Sequence, residues 1–500
     1  MLRSMKRQQV ALVVAVLAVA AFNLSFRLDS EFVTEWDESL YANSALDMLD
    51  GGGLVVTTIA GEPDYFNAKP PLNVWLIAGS LRVFGRSLLA MRVTAVVAAW
   101  LTVALVLVWG WRRIGPVAGL CAALVLSTSF GFLHVHSGRS ATPDALLALF
   151  LLLTVMTLDV AAARPWRRLW LGPLMTGVFF LKGMAVVLPL LLIAIVEIRR
   201  RMTTRDRWLP LGIAASLAAA PIAWWAVARW RIDRELFFNR MFVQDFVELS
   251  LSGFPEQRGS PWFYLTVILK HQYDWLVAVI SVALLYPPAS WRAFGRRLAF
   301  WRAPSEHVIV LGWWLVLAFV VPSLMQTKAA WYINPFYPGF ALAVGATLGY
   351  GLSRALEGPR DRRILLTAAI VMAVVVAETK LWWYSNHYRA VDQTTQGVLL
   401  AESGRLKGAR VYNTSWNLAE LFVIRGLVQA KPETMTIEEF TTRAGPMDFL
   451  VLPANVSPPS LIRVGVRGRY GLYQRRPIAS VESRAREIPT KSQHRESSVN

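Results

Sequence analysis

WDESLYA, residues 36–42, sets two adjacent acids, Asp37 and Glu38, directly after the first long apolar segment of a 500-residue chain. A short amphipathic stretch, SLYANSALDML, runs on from residue 39, and KPPLNVW follows at 69–75. Paired carboxylates here have two readings. In one, Asp37 is a helix N-cap flanked by Trp36 and Tyr41 as a hydrophobic staple. In the other, the acids are the base of an active site held at the bilayer edge. The rest of the chain favours the second reading.

Apolar residues make up 55% of the sequence, and the mean hydropathy is +0.41. Those values describe a polytopic membrane protein rather than a soluble enzyme. Apolar runs long enough to cross a bilayer recur down to residue 383. The first, after MLRSMKR, reads as a retained span or signal anchor. The net charge of +19 invites a nucleic-acid reading, but the arginines lie in short loops between spans, where they act as topology signals. No nucleic-acid partner is expected. A single cysteine, Cys121, allows neither an intrachain disulfide nor a thiolate metal cluster.

Arg3, Lys6 and Arg7 place the N-terminus in the cytoplasm. The first span, 8–26, then leads to an outer loop. Its residues 28–70 carry Asp29, Glu31, Glu35, Asp37, Glu38, Asp47, Asp50, Glu62 and Asp64, and with its interfacial helices the loop extends over 28–86. Further spans are expected at 87–109, 116–134, 143–161, a pair split near Lys182, 208–228, one within 262–291, 307–325, 331–349 and 364–383. These make eleven crossings, with every arginine cluster on one side. Lys270, His271, Gln272 and Asp274 are expensive at mid-membrane, so the part of 262–291 before Asp274 is assigned to the interface. The prolines and short apolar length of KPPLNVWLIAGSLRVFG suit an interfacial helix.

The expected fold is therefore an α-helical polytopic membrane domain over 1–383. A small extracytoplasmic α/β domain follows over 384–477, with ARVYNTS (409–415) and MDFLVLPA (447–454) as strands and NLAELFVIRG (417–426) and TIEEFTTRAG (436–445) as helices. The tail, 478–500, has the composition of a disordered segment.

Unusual ionisable residues collect at the outer ends of the spans: Asp37 and Glu38, Lys69, Arg139 and Asp144 in SGRSATPD, Lys182 in FLKG, Arg258 in EQRGSPWFYL, and Lys328 with Tyr332 in QTKAAWYINPFYP. Each has a plainer reading. Asp144 follows Thr142 as cap and Pro143 at the first helical position, and complements the helix dipole. Lys182 and Lys328 are placed to snorkel, and Arg258 to be solvated. His134 and His136, two apart, make a poor metal pair and are read as structural. Together the set offers more. Asp37, Glu38 and Asp144 are candidate catalytic acids. Lys69, Arg139, Lys182, Arg258, Lys328 and Tyr332 are candidate ligands of a donor phosphate. No metal ligand is assigned. Nucleotide-activated substrates are scarce outside the cytoplasm, so an activated group used there arrives on a lipid, and a polyprenyl phosphate carrying a sugar fits the location and the charges.

WDESLYA, KPPLNVW, GRSATPD, FLKG, GSPWFYL and TKAAWYINPFYP, in that order over residues 8–350, resemble the GT-C glycosyltransferase superfamily. The narrower resemblance is to the bacterial aminoarabinose transferases of lipid A and the dolichyl-phosphate-mannose protein O-mannosyltransferases. It implies a hexosyl- or pentosyltransferase of the bacterial plasma membrane, working on the periplasmic or extracellular side. Donor and acceptor would be a polyprenyl-phosphate sugar and a hydroxyl of a glycolipid, polysaccharide or protein. It further implies Asp37 as general base or acceptor-orienting group, a second acid at Asp144, and Lys69 near the lipid phosphate. Transfer would be a single displacement with inversion. Two departures bear on this. Leu40 stands where aminoarabinose transferases carry arginine, and Ala68 where some relatives place a metal-binding glutamate. A divalent cation is thus left open as a cofactor. The rival from another class is a lipid or sugar transporter, which would show repeated halves and midplane charges; neither is visible here.

Overall fold

The computed structural model describes residues 6–65, 69–200, 205–252, 257–287 and 305–476. The tail assigned above to 478–500 and Ala68 lie outside the described residues. Two compact units divide the chain, one ending at Arg389 and one beginning at Ala390.

The first unit is a helical bundle. Its helices are α1 (Arg7–Ser25), α2 (Asp37–Leu49), α3 (Leu72–Phe84), α4 (Leu88–Arg113), α5 (Pro116–Ser127), α6 (Phe130–His134), α7 (Asp144–Ala161), α8 (Leu171–Lys182), α9 (Val187–Arg199), α10 (Arg205–Phe238), α11 (Phe263–Leu285), α12 (Glu306–Leu324), α13 (Tyr337–Glu357) and α14 (Arg360–Trp383). Among the described residues eight helical stretches are long and apolar enough to cross a membrane, against eleven expected crossings. Three places account for the difference. The apolar run at 116–134 breaks at Thr128–Ser129 into α5 and α6. The pair around Lys182 forms one stretch, Pro165–Arg199, with a short 3-10 turn at Gly183–Val186. The run at 331–349 opens as a 3-10 turn over Ala330–Phe336, and its helix, α13, has the length to cross, 21 residues, but is not apolar enough to be counted.

Local chemistry sets the helix ends. The Ser87 hydroxyl accepts from the Ala90 N–H at the start of α4, and Arg112 and Arg113 complement the dipole at its end. Pro116 opens α5 at its first turn. With 13 residues, α3 is about 20 Å long, too short for the bilayer core. α11 runs unbroken from Phe263 to Leu285. Its polar side chains are paired: Asp274 with Lys380 at 2.6 Å, Gln272 with Ser129, and His271 with the Tyr337 hydroxyl at 3.3 Å. Buried charges with partners do not need to leave the bundle.

Small residues let α13 lie against α5. A Cβ built on Gly345 would meet the Ala118 carbonyl oxygen and the Ala122 nitrogen at 2.6 Å, a backbone approach that only glycine permits. We expect Gly345→Val to cost about 1–3 kcal/mol by overpacking, seen as a lower unfolding temperature in detergent. An unchanged temperature would show that the helices separate freely here.

The 18-residue α7, about 27 Å long, joins two ionic clusters. Near its C-terminal end Asp159 holds Arg113 at 2.7 Å, Arg168 pairs with Glu197 at 2.7 Å, and Arg200 binds Glu197, Glu306 and the Leu158 carbonyl. Its N-terminal residue, Asp144, belongs to the other cluster.

The second unit holds a five-stranded mixed sheet. Numbering follows a two-stranded hairpin in the first unit (β1, Thr58–Ile59; β2, Glu62–Pro63). The strands are β3 (Arg410–Asn413), β4 (Lys431–Thr434), β5 (Asp448–Pro453), β6 (Leu461–Arg467) and β7 (Tyr470–Arg475), in the order β4-β3-β5-β7-β6. β3 runs parallel to β4 and β5, and β7 antiparallel to β5 and β6. The stretches expected as strands form β3 and β5. Those expected as helices give Leu418–Phe422 and Ile437–Arg443, each opened by a complete capping box, Asn417 with Glu420 and Thr436 with Glu439.

Candidate active site

The loop between α1 and α2 is fastened by buried ion pairs. Arg92, on α4, donates to Glu38 from Nε at 2.8 Å and from Nη2 at 3.2 Å. Its guanidinium also reaches the carbonyls of Leu28, Glu31 and Phe32. The backbone N–H and hydroxyl of Thr34 donate to Oε2 of Glu38, and the Ala141 N–H donates to Oε1. Arg389 lies 3.7 Å from the same carboxylate. Burial alone would raise the Glu38 carboxyl, but the charge and hydrogen bonds of Arg92, with help from Arg389 and Thr34, push it down to about 2. Arg139 is fixed similarly, donating to Glu31 at 2.6 Å and to the carbonyls of Asn23 and Phe26.

This frame holds the start of α2. Asp37 is its first helical residue, and Trp36, at φ +70, takes the cap position without a side-chain cap bond. The N-cap and staple reading of Asp37 is thereby corrected. The Asp37 carboxylate is partly exposed, with Lys69 Nζ 4.0 Å from Oδ1 and His136 Nδ1 3.8 Å from Oδ2. Burial pushes its pKa up, but Lys69, His136 and Lys182 outweigh it and hold the group below its ordinary 3.8. Lys69 lies 5.7 Å above the Tyr41 ring. Asp144 is likewise the first residue of α7, behind Pro143 in the cap position. The Thr142 hydroxyl, read from sequence as the cap, instead donates to the His136 carbonyl at 2.8 Å. Lys182 ends α8, bonds Asp144 at 2.7 Å and lies 5.5 Å over the Tyr332 ring.

Lys69, Asp144, Lys182 and Tyr332 line one cavity of about 360 Å³, whose remaining wall includes Leu147, Met184, Met241, Val321 and Trp331. That volume and the apolar wall with a few polar groups suit a small-molecule site. Asp37 is not in the lining but faces Lys69, which is, and four other expected site residues lie away from the cavity. Glu38 has both oxygens engaged in the Arg92 cluster, so it holds the loop rather than facing the cavity. Arg139 is buried against Glu31 and carbonyl oxygens, with no approach for a phosphate. Lys328 points its Nζ at the carbonyls of Pro322, Ser323 and Met325 at the end of α12, where a cation complements the dipole. Arg258 is exposed, pairs with Thr327 through a backbone bridge, and is not among the cavity residues. One residue at the site was passed over in the sequence. His136 reads in the sequence as half of a poor metal pair, whereas in the structure it stands singly beside Asp37. Its position in the HSGRS turn just ahead of Asp144 was the available signal.

Residues 68–225 match the family model described as dolichyl-phosphate-mannose-protein mannosyltransferase. An undecaprenyl phosphate-alpha-4-amino-4-deoxy-L-arabinose arabinosyl transferase of Pseudomonas savastanoi pv. phaseolicola is 28% identical over 384 residues, covering 74% of this chain and 68% of that protein. The protein of the same description from Pseudomonas aeruginosa (strain UCBPP-PA14) is 31% identical over 362 residues, 68% of this chain and 61% of its own length. The crystal structure of ArnT from Cupriavidus metallidurans bound to undecaprenyl phosphate superposes with a TM-score of 0.65 at 16% identity, covering 94% of this chain and 98% of that one. The chain is a multi-pass membrane protein with the fold of ArnT. In sequence it is similar to the aminoarabinose transferases. It spans 61% to 68% of the length of the two curated relatives.

Proposed function

We propose that the chain moves a sugar from a polyprenyl-phosphate carrier to an acceptor hydroxyl on a glycolipid, polysaccharide or protein, with inversion at the anomeric carbon. The observation that carries this reading is a pair of acid–lysine contacts at one apolar-walled cavity: Asp144 beside Lys182, both in its lining, and Asp37 beside Lys69, whose lysine lines it. Asp37 orients the acceptor hydroxyl and takes its proton. The hydroxyl oxygen attacks the anomeric carbon, and the carrier phosphate leaves. Lys69 and Lys182 meet the charge that gathers on the departing phosphate. The apolar wall suits the first part of a prenyl chain.

The two ends of α7 support one side of the membrane for the site. Asp144 sits at one end, and Arg113, Arg168 and Arg200 gather about the other. Arginine-rich ends favour the cytoplasmic face, which supports a periplasmic or extracellular site for the cavity. The residues present do not fit a divalent cation. Each cavity carboxylate already faces a lysine, and no group of three potential ligands lies together among the described residues. No step is routed through a metal.

The test is turnover of the full chain in detergent with a panel of undecaprenyl-phosphate sugars. One donor should be consumed, and Lys69→Met should raise its KM about tenfold or more, as expected for losing a hydrogen bond to a charged group. Consumption of none of them would overturn the proposal. An unchanged KM would remove Lys69 from the phosphate.

A further inference from the structure

Next to Asp37 stands a histidine that the displacement above does not use. His136 has a φ of +49, uncommon for a residue other than glycine and a mark of a position its surroundings enforce. Those surroundings are visible. Thr142 donates to the His136 carbonyl. The Asn334 amide donates to the Val135 carbonyl at 2.9 Å. The imidazole stacks on Trp331, with ring centres 4.0 Å apart and planes at 20°, and Trp331 is part of the cavity wall. The strained turn thus brings Nδ1 to 3.8 Å from Asp37 Oδ2. That nitrogen is buried and has no hydrogen-bond partner among the described residues. A contact of this length is one that tightens when substrate is bound.

We infer that His136 is the proton-accepting partner of Asp37, receiving the proton that Asp37 removes from the acceptor. The inference rests on the transfer reading above. In the step, the acceptor O–H proton passes to Asp37 while the oxygen's electron pair forms the bond to the anomeric carbon. The bond from that carbon to the phosphate oxygen breaks, and its pair leaves with the polyprenyl phosphate. The proton then moves from Asp37 to the lone pair of Nδ1, restoring the carboxylate and forming an imidazolium, which gives a proton to water. A carboxylate held below 3.8 keeps a proton poorly, and the imidazole Nδ1 faces it at 3.8 Å. Burial lowers the imidazole from 6.5. Asp37, Asp144 and Glu38 stabilise the imidazolium and Lys182 opposes it, while Lys69 faces Asp37 from the other side.

The first test needs no turnover. In the full-length protein, labelled on histidine and held in detergent, one of the six histidines should lose its NMR signal in His136→Gln. In Asp37→Asn that signal should titrate about half a pH unit or more lower, because a facing negative charge is gone. An unmoved titration overturns the inference, whatever becomes of the transfer reading. The second test uses a donor that the wild type consumes. His136→Gln should lower kcat about tenfold or more while donor KM stays within about twofold. It should also move the acid limb of kcat to lower pH, from the imidazole's range toward that of Asp37. Wild-type kcat with an unmoved limb would overturn the inference. Loss of kcat with the limb in place would reduce His136 to a packing role and overturn it equally.

Discussion

Asp37→Asn is expected to lower kcat by about 100-fold or more, the usual worth of a positioned general base, without loss of fold. Asparagine keeps the shape of the side chain. Asp37 caps nothing, since Trp36 occupies the cap position, and its carboxylate is not in the buried ion-pair cluster behind it. The amide still accepts a hydrogen bond but cannot take a proton, so the loss should fall on kcat more than on donor KM. The charge of Asp37 is held below 3.8 by Lys69, His136 and Lys182 against the opposing effect of burial. Protonation of Asp37 itself is therefore confined to still lower pH, and any acid limb nearer neutrality belongs to another group. Turnover at the wild-type rate by a folded Asp37→Asn variant would show that this acid only shapes the loop.

Glu38→Gln is expected to act in the opposite way, on stability. Arg92 is fully buried and both oxygens of Glu38 face it. Removing the negative charge leaves Arg92 and Arg389 to share Glu31 among the described acids, and breaking a buried pair on one side costs about 3–5 kcal/mol. The fall of the Glu38 carboxyl from 4.5 to about 2 corresponds to about 3 kcal/mol at 1.36 kcal/mol per pH unit, the same order. Its sign follows from a lowered folded-state value: this stabilisation is fully present above 4.5 and is lost as the pH falls toward 2. Glu38→Gln should thus melt markedly earlier in detergent at neutral pH, and the difference from wild type should shrink on acidification. Loss of turnover with an unchanged melting temperature would instead return Glu38 to the chemistry.

The contrast between these neighbours marks what the sequence could and could not say. Local features were readable. Asn417 with Glu420 and Thr436 with Glu439 announce helix starts through chemistry complete within four residues. The ends of the spans carrying Asp37, Lys69, Asp144 and Lys182 stand out because charge is costly beside apolar runs, and the structure brings these four together. Roles fixed by distant partners were hidden. Nothing near Glu38 reveals that Arg92 and Arg389 claim it, nothing near Arg139 reveals Glu31, and Lys328 is spent on the carbonyls that end its own preceding helix. Polar residues in α11 looked costly inside a membrane because their partners, Lys380, Ser129 and Tyr337, lie far away in the chain. His136 was set aside because spacing on a helix was the wrong question for a residue held in a strained turn by Thr142, Asn334 and Trp331.

Bond cleavage at the carrier is the most direct test of the central claim. The full-length protein would be reconstituted with an undecaprenyl-phosphate sugar, labelled in the sugar, that it consumes, and with an acceptor. Free undecaprenyl phosphate should appear in step with label joined to the acceptor in the wild type, and neither should appear with Asp37→Asn. Labelled lipid crossing the bilayer intact, equally in both proteins, would contradict the account and make the cavity a passage for the lipid.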